Sequence, residues 1–139
     1  MRTLIRVGGI CKIEGRILLE SLADRDVWGI PGGSLEADEA IEDGCRREFR
    51  EELGWEVQCV SLAMVMEHFW QDSGEYFREY GFYFRVEPQC LHEVNPENVQ
   101  SREEHLKFSC FALEDLASLT MVPPQLRGIL PNRRVRDGF

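Results

Sequence analysis

Residues 33–55 read GSLEADEAIEDGCRREFREELGW, and the later part of this stretch has the composition of a helix stopped by a glycine. Within it Glu48, Glu51 and Glu52 stand three, four and one residues apart. On a helix turning about 100° per residue they fall within an arc of roughly 100°. Ile41 and Cys45 project from that same side, so the acids emerge where an apolar face is normally buried. Anions crowded beside a core repel one another and resist desolvation. A hard divalent cation bound by oxygen ligands answers both problems. The competing reading is a solvated acidic surface, partly neutralised by Arg47 or Arg50. It requires acids opposite the apolar stripe, whereas Glu48 and Glu52 flank the direction of Ile41.

The passage before the helix, Trp28-Gly29-Ile30-Pro31-Gly32-Gly33, is rich in turn formers and ends almost without side chains. Adjacent glycines allow a ligand close to the backbone. Their carbonyls are then available to a metal, or their amides to an anion. Alone, Pro-Gly-Gly is a tight loop. Followed directly by the acidic helix, it becomes half of a phosphate-and-metal site.

These residues resemble the signature of the Nudix hydrolases, G-x5-E-x7-R-E-U-x-E-E-x-G-U, where U is bulky and apolar. Gly33 opens it and Glu39 follows after five residues. Arg47-Glu48 follow after seven more residues, with Phe49 the first bulky position. Glu51-Glu52 are the acidic pair, Gly54 the glycine and Trp55 the last bulky position. Every defined position matches, over 23 of 139 residues.

The rest of the chain fits one such domain, residues 1–139, with room for a single sizeable core. The sequence has no apolar run of membrane-spanning length and no leader-like N-terminus. Five cysteines, at 11, 45, 59, 90 and 110, show no paired spacing. A zinc site or disulfide framework is not expected, and a cytoplasmic location is. Net charge is −9, which argues against nucleic acid as a partner, because phosphate neutralisation needs clustered Lys and Arg. A small phosphorylated substrate stays admissible, since a bound cation reverses the local field. Arg133, Arg134 and Arg136 make the C-terminus basic, and residues 131–139 read as a flexible, solvated tail.

Periodicity predicts strands over 3–13 and 16–21 joined at Glu14-Gly15, then a loop over 22–37. A helix follows over about 38–53 with Gly54 as its C-cap. Residues 56–69 and 76–87 read as a long antiparallel pair, with Tyr80, Phe82, Phe84 and Val86 on one face. A polar loop over 89–103, a strand over 105–112 and a helix over 124–130 complete the pattern. These elements allow a mixed sheet with packed helices, class α/β. The family resemblance narrows this to an α/β/α sandwich around a mixed β-sheet.

The resemblance also implies an activity. Nudix hydrolases cleave the pyrophosphate linkage of a nucleoside diphosphate joined to another moiety, by water attack at phosphorus. Mg²⁺ suits that chemistry, with Mn²⁺ as a substitute, because it takes oxygen ligands and keeps some waters. By matching position, Glu48, Glu51, Glu52 and the Gly32 carbonyl are the expected metal ligands. Arg47 is expected to orient the glutamates, since a guanidinium holds carboxylates through paired hydrogen bonds. Glu39 belongs to the support of loop and helix. The passage Glu104-His105-Leu106-Lys107-Phe108 looks like the family's Glu-His-x-x-Phe, which selects Glu104 as a further acid. The tryptophan often found later in that strand is replaced by Cys110. Glu51, Glu52 and Glu104 are the candidates for accepting the proton.

For the substrate, Gly33, Trp28, Phe69, Trp70 and Arg78 are the expected contacts, the aromatics because bases stack on rings. His68, His92 and His105 read as ordinary surface or strand residues. The expected partner is a small nucleotide of the nucleotide-sugar or nucleoside triphosphate type. A homodimer is common in the family. The alternative from another class is a non-catalytic Nudix-like module that binds a nucleotide or a protein; such domains lose signature acids, and this chain keeps them all.

Overall fold

The structure is a computed structural model that describes residues 1–131. The first hairpin joins β1 (Arg2–Ile13) to β2 (Arg16–Leu22), turning through Glu14 and Gly15, both at positive φ. Two short strands, β3 (Val27–Trp28) and β4 (Gly32–Ser34), lie where a plain loop was expected. The helix α1 (Ile41–Leu53) is followed by the long hairpin β5 (Val57–Asp72) and β6 (Glu75–Pro88). After a 3-10 turn at Leu91–Glu93 come β7 (Leu106–Ala112) and a second 3-10 segment, Leu113–Ser118. The short β8 (Thr120–Met121) and α2 (Leu126–Ile129) end the described residues. The expected tail, with Arg133, Arg134 and Arg136, lies almost wholly outside them.

The main sheet runs β5-β6-β1-β2-β7, with β4 added on β1. β1 is parallel to β6 and antiparallel to β2 and β4, so the sheet is mixed. Side chains on its strands alternate between two cores. Cys11, Leu18, Phe84 and Val86 pack against Cys45, Phe49 and Leu53 of α1. Ile10, Ile17, Leu19 and Tyr83 pack on the other side against Leu116, Met121 and Leu126. The result is an α/β/α sandwich whose second helical layer is thin, built from the 3-10 segment and α2. Phe49 is 1% exposed; burying such a ring contributes about 1.5–3 kcal/mol.

One edge of β1 is shared between two strands. β2 pairs with it only at Lys12–Ile17 and Ile13–Arg16, next to the turn. Beyond that point the Gly29–Pro31 segment enters between them. Gly29 exchanges both backbone hydrogen bonds with Glu20 of β2, and the Pro31 carbonyl accepts from the Gly9 N–H of β1. β4 then takes over the edge at Gly8, Val7 and Arg6. The chain is thus wedged into the sheet directly before the glycine pair.

α1 begins at Ile41 rather than 38. Asp38 is left-handed (φ 63°), and Glu39 Oε1 accepts from the Glu36 N–H at 3.2 Å, so 38–40 form an entry turn. At the other end Gly54 takes φ 71°. Its N–H and that of Trp55 donate to the carbonyls of Arg50 and Phe49, closing the last turn.

Candidate active site

The apolar stripe of α1 sets where its acids go. Cys45, Phe49 and Leu53 face the sheet, and Glu48 and Glu52, four residues apart, are carried to its margin, where they are 8% and 6% exposed. Glu51 lies at the rim, its side chain half exposed. Of the three acids expected on the inner side, two are inside and one looks outward.

Arg47 ties them together. Its Nε donates to Glu39 Oε2 at 2.7 Å and its Nη2 to Glu39 Oε1 at 3.0 Å. Nη1 donates to both Glu48 Oε1 at 2.9 Å and Glu51 Oε2 at 3.2 Å. Nη2 also reaches the Ser34 carbonyl at 3.0 Å. The Arg47 hydrogen bonds hold Glu39 below the usual carboxylate range, and the guanidinium is itself held more firmly protonated, chiefly by Glu39. One side chain therefore fixes the entry turn, β4 and two acids at once.

The glycine pair supplies close backbone. A β-carbon on Gly33 would lie 2.5 Å from Glu48 Oε1, so the carboxylate packs over the bare Cα. Gly32 is placed by the ladder. Leu35 N–H donates to Ile5 and Pro31 accepts from Gly9, with Gly33 opposite Val7. Hydrogen-bonded pairs alternate along an antiparallel ladder, which puts Gly32 at a position whose carbonyl is turned away from β1.

A fourth acid comes from outside the signature. Glu20 stands in the strand Arg16–Leu22, its side chain 11% exposed. Arg6 Nη2 donates to Glu20 Oε1 at 2.8 Å and to the Ile30 carbonyl at 3.1 Å. Glu20 Oε2 is buried with no hydrogen-bond partner. Glu52 lies against both Glu20 and Glu48 and interacts with each. Burial, then the neighbouring Glu20, pushes the Glu52 carboxyl up to about 11. Glu20 is also raised, by burial against the pull of Arg6. The cluster cannot ionise fully by itself, because two cations stand against five carboxylates and neither faces Glu52 directly.

Among the described residues no three acidic, histidine or cysteine side chains already converge as a metal cage; Glu48 and Glu51 are drawn onto Arg47 instead. The donors fit a hard cation nonetheless. All are oxygens, they are crowded, and one buried carboxylate oxygen is unpartnered.

Glu20 also lines a cavity of about 560 Å³ on the other side of the wedge. Trp28 and Trp70 are on its wall, together with His68, read from the sequence as an ordinary surface or strand residue, and Glu79, Arg6 and Tyr83. Both tryptophans are engaged by protein. Trp28 meets the Phe111 ring edge-on at 4.9 Å and has Lys107 Nζ over its own ring. Trp70 stacks on Phe77 at 5.1 Å and on His68 at 5.4 Å.

Phe69 and Arg78 are not brought to the cavity. They pair across the β5–β6 hairpin, between the pairs His68–Glu79 and Trp70–Phe77, so alternation turns them to the opposite face. There Arg78 Nη2 donates to Thr3 Oγ1 at 3.0 Å. Glu104 is exposed, and no hydrogen bond or ion pair among the described residues joins it to α1. Its loop is nonetheless anchored near the acids, since the Arg102 N–H donates to the Glu52 carbonyl at 2.7 Å.

Glu20 had a legible signal, a lone carboxylate inside the apolar run Ile17-Leu18-Leu19-Glu20-Ser21-Leu22. His68 and Glu79 had none, because nothing local says which face of a long hairpin meets a cavity.

A family model described as NUDIX domain matches residues 6–132. A MutT-like protein of Streptomyces ambofaciens is 39% identical over 61 residues, covering 44% of this chain and 40% of that protein. The nucleoside triphosphatase NudI of Klebsiella pneumoniae (strain 342) is 40% identical over 68 residues, covering 45% of this chain and 48% of that protein. The chain spans less than half the length of either relative. Among solved structures, a MutT NUDIX hydrolase from Burkholderia pseudomallei matches with a TM-score of 0.57 at 26% identity, over 82% of this chain and 86% of that one.

Proposed function

The chain belongs to the Nudix family, and on that footing we propose that it hydrolyses the pyrophosphate linkage of a small nucleotide, of the nucleoside triphosphate or nucleotide-sugar type. The observation that carries this reading is the placement of Glu20. It touches Glu52 of the acidic cluster on one side and lines the cavity on the other. A ligand seated in the cavity therefore ends at the acids. The likeness to a protein named as a nucleoside triphosphatase supports the triphosphate type.

Members of the family use divalent cations; for this chain we assign Mg²⁺, with Mn²⁺ as substitute. The Glu48, Glu51 and Glu52 carboxylates and the Gly32 carbonyl would hold it. When bound, such an ion neutralises pyrophosphate charge and lowers the pKa of a coordinated water.

The protein's own residues do the rest. Arg47 orients Glu48 and Glu51 from one nitrogen and braces them against Glu39. Gly33 leaves space for the Glu48 carboxylate. Arg6 fixes Glu20 and the Ile30 carbonyl, and so the wedge that separates the strands. Glu51, Glu52 and Glu104 are assigned as the candidates for taking the water's proton, and their three Gln variants identify which one does.

The test is release of phosphate, pyrophosphate or a nucleoside monophosphate from NTPs, a nucleoside diphosphate sugar, ADP-ribose, a dinucleoside polyphosphate and a capped RNA, with and without Mg²⁺. Metal-dependent release from a nucleoside triphosphate or nucleotide-sugar is expected. Binding without release from any substrate would replace the hydrolase reading with that of a binding module.

A further inference from the structure

The cavity wall offers a ligand few charges of the sign a phosphate needs. Its one guanidinium, Arg6, is already held by Glu20 and the Ile30 carbonyl, while Glu20 and Glu79 make the wall acidic. The non-phosphate end of a nucleotide is the part that fits there.

Two residues are open to it. His68 ends the ring series Phe77–Trp70–His68, and its single ring contact among the described residues is Trp70. Glu79 is its direct partner across the hairpin. The Glu79 carboxylate makes no hydrogen bond or ion pair among the described residues, although its charge is felt by Arg6 and Tyr83. An ionised carboxylate only accepts hydrogen bonds. A ring carrying an exocyclic amino group satisfies it. A ring with an oxo group at that position presents acceptor to acceptor and leaves both desolvated and unpaired.

We propose that this cavity binds the heteroaromatic base of a nucleotide and selects bases bearing an exocyclic amino group, with His68 as stacking surface and Glu79 as acceptor. The assignment rests on the hydrolase reading only for the position of the phosphates. His68 and Glu79 are specificity residues and take no part in bond breaking.

Matched pairs of probes test it on the full chain: CMP against UMP and AMP against IMP, by titration calorimetry. The amino member of each pair is expected to bind about tenfold tighter or more. Glu79→Gln supplies both a donor and an acceptor, so the preference should vanish or reverse while the melting temperature holds. His68→Leu should weaken all four by about tenfold, leave the ratio within each pair intact and be rescued by His68→Phe. Equal binding within both pairs, an unchanged ratio in Glu79→Gln, or no binding by any of the four would overturn the proposal. The hydrolase reading is scored separately, by turnover of CTP, UTP, ATP and ITP. Turnover of all four at equal kcat/KM would preserve that reading and sink this one.

Discussion

The carboxylate of Glu48 fills the space that a β-carbon on Gly33 would require, with Oε1 at 2.5 Å and Cδ and Oε2 at 2.6 Å from that position. Gly33 is needed for what it lacks. Its φ is not in the left-handed range, so conformational freedom is not the reason for a glycine here. The relationship joins β4 to a helix residue 15 positions on, and it accounts for two signature positions with one contact.

Gly33→Ala should therefore move Glu48 rather than unfold the chain, because the obstructing atoms are the end of a side chain. We expect kcat/KM to fall about 10–100-fold with only a few degrees lost in Tm. A fall in Tm large enough to explain the lost activity would show that the contact supports the fold instead.

Glu52→Gln should cut turnover by on the order of a hundredfold or more while the melting temperature without metal holds or rises, since folding no longer requires a proton to be taken up at this crowded position. Mg²⁺ should raise the parent's Tm by several degrees through binding to the folded state and raise that of the variant much less. Turnover within a few-fold of the parent would remove Glu52 from the site.

The same carboxyl gives the metal-free protein a pH dependence. Its folded value, about 11, lies above the ordinary 4.5, so the folded state holds the proton more tightly than the unfolded chain. That stability is fully present below pH 4.5 and is lost as pH rises toward 11. In the presence of a chelator, stability should decline between pH 6 and pH 9, by no more than about 1.4 kcal/mol per unit, with Tm falling accordingly, and Glu52→Gln should flatten the decline. A chelated parent whose stability rises over that interval would contradict the crowding described.

Arg47→Lys keeps the charge and loses the fork. An ammonium cannot serve Glu39 through two nitrogens while bridging Glu48 and Glu51. Activity should drop about 10–100-fold, chiefly in kcat, with a lower Tm because the entry turn of α1 is released. Full activity in this variant would assign Arg47 a merely electrostatic part.

The sequence carried α1, its acids and its glycine stop in plain sight, because spacing and capping act locally. The hairpins at Glu14-Gly15 and Ser73-Gly74 were legible for the same reason. β3 and β4 were not, since strands of two and three residues have no period. The face of β5 was hidden too: register shifts between Cys59 and Ser61 and between Leu62 and Met64 offset its alternation. Phe69 and Trp70 are both expected as stacking surfaces for their rings, and the strand turns them to opposite sides. Trp28 is on the cavity wall. That its ring already meets Phe111 and Lys107 depends on β7, a strand about eighty residues later, which no local pattern reports.

The wedge at Gly29–Pro31 carries a liability. Beyond the first hairpin turn, the backbones of β1 and β2 are joined only through an inserted segment, and on the β1 side that segment presents a proline, which has no N–H to give. Were β2 to zip onward along β1, the backbone would gain cohesion, yet Arg6 would lose Ile30 and Glu20 would be pulled from Glu52. The chain can thus be inactivated by becoming more regular, without a change to any acidic residue. Amide exchange at Gly9, Glu20 and Gly29 is where such a rearrangement would be read.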